Sequence, residues 1–218
     1  MAVRISKHAA KMIEMFFNVI FKGLDMKRVF FRDLELLVYD SVYEPAEDSF
    51  LLAESVRVKQ GSYALDIGCG CGIQAINLAM QGANVVAVDI SRDAAKNTLE
   101  NAKNCGLSQR ILAIQGDLFN AIAKKKFDCI VFNPPYLPLE GPRDKALDGG
   151  PHGYELLHRF LAKVPKYLKK HGACYFVQSS LSDEALTKRK LSKLGLSFEI
   201  VEKRHFFFEE LMVFKAFL

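Results

Sequence analysis

The chain has 218 residues, 50% hydrophobic and 25% charged, with a net charge of +5; this is a globular composition, long enough for one α/β domain with a substantial core and too short for two ordinary domains. No apolar run reaches bilayer-spanning length, and Lys11 and Glu14 interrupt what would be a signal peptide's apolar stretch, so a soluble cytoplasmic protein is expected, away from membranes. The cysteines, Cys69, Cys71, Cys105, Cys129 and Cys174, form neither a disulfide framework nor a zinc set and read as reduced thiols, while the mild positive charge is compatible with an anionic partner without requiring one.

In chain order, residues 12–21 place Ile13, Phe16, Phe17, Ile20 and Phe21 at helical spacing ahead of Gly23. This is a helix covering the core, or one facing a membrane surface or a partner. Arg28 to Phe31 and Leu34 to Tyr39 read as a hairpin turning at Arg32-Asp33. A helix is expected from near Ala46, a strand over 63–67, a helix over 71–80 and a strand over 85–88. Ser91 then N-caps a helix with Ala95, Thr98, Leu99 and Ala102 on one face, ending at Gly106. Residues 111–114 and 127–132 are further strands. Residues 154–168 read as mainly helical, broken or ended near Pro165. A strand over 173–177, a basic helix over 183–194 and two strands turning near Phe208-Glu209 complete the chain. Alternating strands and helices with near-continuous apolar strands imply a Rossmann-like α/β fold. Its sheet is expected to be mostly parallel and seven-stranded, with an antiparallel edge strand and helices on both faces. Residues 1–40 are expected to form an extension of helix and hairpin packed on a single domain over 41–218.

Leu65-Asp66-Ile67-Gly68-Cys69-Gly70-Cys71-Gly72 leaves a strand and enters a helix, where glycine lets the backbone turn tightly and approach a ligand. The third glycine follows the second by two residues rather than the three of the dinucleotide fingerprint. Asp66 would repel a pyrophosphate but suits the ammonium group of S-adenosyl-L-methionine. Asp89, ending the next strand, can accept ribose hydroxyls, and Asp117 can reach an adenine edge with Leu118 against the ring. Each acid taken alone fits a helix cap or a solvated loop equally well; three at the carboxyl ends of successive strands mark the ligand edge of an open sheet.

The strand over 127–132 runs into Asn133-Pro134-Pro135-Tyr136. Pro134 holds Asn133 extended, and neither proline carries an N–H, so the ladder stops. The Asn133 side-chain oxygen and the Pro134 carbonyl then offer two acceptors for the hydrogens of a flat NH₂ group, and Tyr136 a face to stack on. Such a slot favours methyl transfer to a conjugated nitrogen by positioning and electrostatic stabilisation, without a metal. Asn133, Pro134 and Tyr136 are therefore the expected catalytic set, with Asn133, Pro135 and Tyr136 against the acceptor.

With these motifs the sequence resembles the HemK-type glutamine methyltransferases, and among them the archaeal and eukaryotic branch that modifies class 1 release factors. The resemblance rests on Val42-Tyr43-Glu44-Pro45-Ala46-Glu47-Asp48-Ser49, on Asp66 to Gly70, on Asn133 to Tyr136, and on Asp148-Gly149-Gly150 with Gly153. It implies methylation of the glutamine amide of a Gly-Gly-Gln motif. It also implies cofactor contacts from Ser49, Asp66, Gly68, Gly70, Asp89, Asp117, Leu118 and Asn133, with Ser49 alternatively a cap on the helix it opens, and a small zinc-binding activator subunit as partner. The amino-terminal helical substrate domain of bacterial relatives has no counterpart here. Three readings stand beside it. Adenine amine methylation would need a grip such as Lys124-Lys125-Lys126 or Lys188-Arg189-Lys190. Lysine methylation would place a tetrahedral ammonium where a flat group stacks. A non-catalytic cofactor-binding scaffold would leave the acids and the tetrapeptide without purpose.

Overall fold

The computed structural model describes residues 26–136 and 153–218; the helical pattern over 12–21 and the Asp148-Gly149-Gly150 segment lie outside them. Strands β1 (Met26–Phe31) and β2 (Leu34–Tyr39) form the antiparallel hairpin, turning at Arg32-Asp33, where Arg32 takes φ 54°. Next come α1 (Glu47–Ser55), β3 (Tyr63–Ile67), α2 (Ile73–Met80), β4 (Asn84–Asp89), α3 (Arg92–Asn104), β5 (Ile111–Gln115) and β6 (Phe127–Phe132). The chain ends with α4 (Glu155–Leu161), α5 (Val164–Tyr167), β7 (Leu168–Ser179), α6 (Glu184–Lys193), β8 (Ser197–His205) and β9 (Glu210–Phe217). The expected long helix over 154–168 is two short ones, with Pro165 opening the second, where a missing N–H costs nothing. Among the described residues no helix is long and apolar enough to cross a membrane.

The seven strands of the main sheet run in the order β5-β4-β3-β6-β7-β9-β8. All pairs are parallel except β7 with β9 and β9 with β8, which make the antiparallel edge. Strand alternation divides the core in two. Ala64, Val85, Ala87, Val131, Tyr175 and Val213 point to the face covered by α1, α2, α3 and the hairpin. Leu65, Ile67, Val88, Phe132, Phe176 and Phe214 point to the face under α4, α5 and α6. The strand order reverses between β3 and β6, which opens a crevice beyond their carboxyl ends.

Helix α3 buries Ala95, Thr98 and Ala102 of its expected face but not Leu99. Leu99 is 43% exposed, while Ala94, Asn97, Thr98 and Asn101 are buried. These lie at i, i+3, i+4 and i+7, and with Ala95 and Ala102 they make a buried stripe that is half alanine and half polar. The asparagines act as a substitute β-strand for β2. Asn97 Oδ1 accepts from Tyr39 N–H at 3.0 Å and Asn101 Oδ1 from Leu37 N–H at 2.9 Å. Both Nδ2 groups donate to the Leu37 carbonyl, at 2.8 and 2.7 Å, and Asn101 Nδ2 also reaches the Cys71 carbonyl at 2.8 Å. Replacing Asn101 by Leu strands these buried backbone groups. We expect the variant to lose about 3 kcal/mol of stability, read as a lower urea midpoint at unchanged slope.

Candidate active site

A cavity of about 430 Å³ fills the crevice, a size typical of small-molecule sites. Its floor is the glycine loop between β3 and α2. Gly68 N–H and Cys69 N–H both donate to the Val88 carbonyl, at 2.8 and 3.1 Å, which ties the loop to β4. Gly68 (φ 66°) lies under the Phe132 ring, which an added Cβ would approach to 3.2 Å. Gly72 (φ 92°) faces Thr98, with Thr98 Cα 3.2 Å from such a Cβ. Both positions combine a left-handed backbone with contact, so side chains are excluded twice over.

Asp89, at the end of β4, lines the cavity and organises its floor. Its Oδ2 accepts from Gly70 N–H at 3.0 Å and its Oδ1 from Ser91 N–H at 2.8 Å. Burial pushes its carboxyl above the usual range, against these stabilising hydrogen bonds. Asp117 and Leu118 line the opposite end. Leu118 is held at φ 50°, a strained conformation for a leucine. Asp117 is paired at 2.7 Å with Arg159 of α4, a cavity-lining residue that local pattern did not single out.

Asp66 is not on the cavity wall. Within β3 it shares the face of Ala64, one layer behind the loop, and is wholly buried. Its Oδ2 accepts from Ala75 N–H at 3.0 Å, using one of the free N–H groups of the first turn of α2, and its Oδ1 has no partner among the described residues. Burial raises its carboxyl well above the usual range. The period-two alternation of β3 already carried this orientation. Burial likewise pushes the thiols of Cys69 and Cys71 up, so both behave as small apolar groups.

The acceptor side is built around Asn133, which continues β6 onto the cavity wall with Pro134, Pro135 and Tyr136. Asn133 Nδ2 donates to Ser49 Oγ at 3.1 Å, which fixes the amide; its buried Oδ1 has no partner among the described residues. No described residue donates to the Pro134 carbonyl. Ser49 does not cap α1, whose N-cap is Ala46 without a side-chain bond. Instead its hydroxyl lies 3.1 Å from Asp48 Oδ1. Asp48, a buried carboxylate not singled out from the sequence, also accepts from the phenols of Tyr43 at 3.3 Å and Tyr136 at 3.4 Å. Burial, with the Asp48 charge next, raises both phenols far above their ordinary value, so they stay neutral. The signal was present in the Asp48-Ser49 dipeptide, but only folding brings it beside residue 136.

The structure thus gathers Ser49, Gly68, Gly70, Asp89, Asp117, Leu118 and the 133–136 turn around one cavity and sets Asp66 behind it. The lining suits S-adenosylmethionine: an ionisable acceptor beside loop amides for a ribose, a strained leucine for a ring, and the Asn133 turn on the wall across from them. Among the described residues no group of His, Cys, Asp and Glu is arranged to hold a metal.

Comparison with known proteins gives a concordant picture. Residues 44–207 match the family described as the methyltransferase small domain. A chain of Methanocaldococcus jannaschii, provisionally named a protein N5-glutamine methyltransferase, is 42% identical over 190 residues, covering 84% of this chain and 95% of that one. A release factor glutamine methyltransferase of Moorella thermoacetica is 37% identical over 147 residues, covering 60% of this chain and 52% of the relative, so the chain spans about half the length of that bacterial enzyme. Among solved structures, the E. cuniculi Mtq2–Trm112 complex, responsible for methylation of the eRF1 termination factor, superposes with a TM-score of 0.63 at 23% identity, over 81% of this chain and 98% of that one. At that identity the likeness is one of fold.

Asp89→Ala is expected to weaken S-adenosylmethionine binding about tenfold or more, the scale of a charge-assisted hydrogen bond, in titration calorimetry. Because the Asp89 carboxyl is shifted upward, it takes up its proton at a higher pH than a free aspartate. Affinity should therefore be full at neutral pH and fall as pH drops through that raised value, and Asp89→Asn should remove this dependence.

Proposed function

The chain belongs to the methyltransferase small domain family and, within it, to the HemK-type glutamine methyltransferases; on that premise we propose that its acceptor is the glutamine side-chain amide of the Gly-Gly-Gln motif of a class 1 translation release factor. Its cofactor is S-adenosylmethionine, which supplies a methyl carbon made electrophilic by the attached sulfonium. The observation that carries the acceptor reading is the 133–136 turn on the cavity wall, where Asn133 is fixed through Ser49 and its Oδ1 has no partner among the described residues.

An amide nitrogen is a poor nucleophile because its lone pair is delocalised into the carbonyl. The chain's own groups compensate. Asn133 Oδ1 and the Pro134 carbonyl accept the two N–H bonds, which holds the amide plane in one orientation and favours the positive charge that develops on nitrogen. Ser49, itself held by Asp48, prevents Asn133 from turning its oxygen away. Tyr136 supplies a neutral ring as a stacking face, and its phenol, kept protonated, is no proton acceptor. The excess proton leaves the product toward solvent.

A tetrahedral lysine ammonium uses neither the stacking face nor the paired acceptors in this way. A flat base amine uses both, and is separated from the amide by assaying the two acceptors side by side. A small activator subunit, such as the E. cuniculi complex contains, forms part of the same proposal. The edge of β5, unpaired among the described residues and with Leu112 58% exposed, is a surface that such a subunit would cover.

Asn133→Ala is expected to lower turnover about a hundredfold, the scale of one oriented transition-state group, with S-adenosylmethionine affinity largely retained. The assay is mass spectrometry of a release factor and of RNA incubated in parallel with labelled cofactor. Label on the motif glutamine, lost in the variant, supports the reading; label on RNA alone rejects it.

A further inference from the structure

The turn joining β8 and β9 carries two phenylalanines that do nothing for the fold. Phe207 is 93% and Phe208 83% exposed, with ring centroids 4.7 Å apart in an edge-on arrangement. Phe206 N–H donates to the Glu209 carbonyl at 2.8 Å, and His205 pairs with Glu210 below it, so the rings sit on a closed, four-residue tip. Leu181, on the turn after β7, is 54% exposed. Scattered apolar residues on a surface need no explanation, but adjacent aromatic rings held in water at a site's edge do.

This tip is joined to the acceptor slot. Ser180 N–H donates to the Glu210 carbonyl at 2.8 Å and Ser180 Oγ accepts from Glu210 N–H at 2.9 Å. Ser179 Oγ is hydrogen-bonded to the Glu209 carboxylate. Two residues further on, Ser182 Oγ donates to the Tyr136 carbonyl at 2.9 Å. Leu181 therefore stands between the tip and the turn that carries Asn133, and the Glu209 carboxylate is close enough to act on both the Tyr43 and Tyr136 phenols.

We propose that Phe207, Phe208 and Leu181 form a docking rim for the folded protein that presents the acceptor amide on one of its loops. The inference rests on the amide reading and adds how the macromolecule is held. Charge selects a protein over a nucleic acid. On the strand leading to the tip, Lys203 pairs with Glu210 at 2.6 Å and Arg204 with Glu54 at 3.0 Å, while His205 Nε2 lies 2.8 Å from the second oxygen of Glu210. A phosphate backbone is gripped by cations free to replace its counterions, and Lys203 and Arg204 are already engaged by carboxylates of the chain itself. Rigid aromatic side chains at a mixed-charge rim are instead the anchors typical of protein–protein contacts. A flexible peptide entering the slot alone has no need of them.

The test compares the full chain with its Phe207→Ser/Phe208→Ser variant and, separately, with Leu181→Ser, on two acceptors: an intact class 1 release factor and a short synthetic peptide containing Gly-Gly-Gln. Because these side chains are exposed, the melting temperature and S-adenosylmethionine affinity should be unchanged. For the intact protein KM should rise about tenfold or more in the double variant with kcat little altered, the scale of losing anchor residues. Leu181→Ser should move KM in the same direction, while kcat/KM for the peptide stays within about twofold in both variants, as for surface changes outside a contact. An unchanged KM for the protein, or an equal loss on both acceptors, overturns the rim alone. Failure of the unaltered chain to label glutamine on either acceptor sinks the amide reading and the rim with it. Label on RNA that disappears in the double variant would make the rim a nucleic-acid contact and overturn the proposal.

Discussion

The site depends on the register of one strand. β3 pairs in parallel with β4 and with β6, so that Ile67 lies opposite Val88 on one side and Phe132 on the other. All three strands therefore end at nearly the same level, and the residues just beyond each end are delivered to the same place. The glycine loop comes after Ile67, Asp89 after Val88, and Asn133 after Phe132. The closeness is physical: the Phe132 ring occupies the space that a side chain at residue 68 would need. A one-residue slip would turn each of these side chains to the opposite face of the sheet. The apolar alternation that builds two cores is thus also what sets donor loop and acceptor turn side by side.

From that base the acceptor side is stiffened by a chain of polar contacts running back to α1. Asp48 is buried among Tyr43, Ser49 and Tyr136, and Ser49 in turn receives the Asn133 amide. A buried carboxylate is costly unless its acceptor sites are used, and here donors from several elements meet it. The arrangement leaves the Asn133 Oδ1 without a partner among the described residues, which distinguishes the slot from an ordinary proline-rich turn. The same reasoning separates the two sides of the cavity: around Asp89 every carboxylate oxygen has a backbone donor already, so a ligand there adds to a finished frame.

How much of this was legible in sequence depends on the range of the interactions. Strands β3, β4 and β6 are short apolar runs between glycines and acids, and local pattern places them within a residue or so. The Asn-Pro-Pro-Tyr turn is legible because proline acts on its immediate neighbours. The polar half of the buried face of α3 is not, since Asn97 and Asn101 bond to backbone 58 to 64 residues away, whereas apolar spacing alone places the exposed Leu99 on the buried side. Asp48 and Arg159 were passed over for the same reason: an isolated acid or base acquires meaning only from a partner such as Tyr136 or Asp117 that folding brings to it. Asp66 is the instructive intermediate. Its position in the motif marks it as ligand-facing, whereas its parity within β3 turns it inward to cap α2, and parity is the geometric constraint.

Chemistry and recognition then separate along the surface. Paired acceptors and a stacking face can align an amide nitrogen but cannot tell one exposed glutamine from another, because the motif side chain offers them only two N–H bonds and a flat face. Selectivity among proteins has to come from contacts outside the slot, where an acceptor's surrounding surface meets the enzyme. Hydrogen bonds of Ser179, Ser180 and Ser182 tie the β8–β9 tip to the turn that carries Asn133, so the proposed rim and the slot are held at a fixed spacing. Aromatic side chains suit such a task because they bring large contact area at little conformational cost. Their exposure in the free chain is then the expected consequence of a partner that stays only long enough to be methylated.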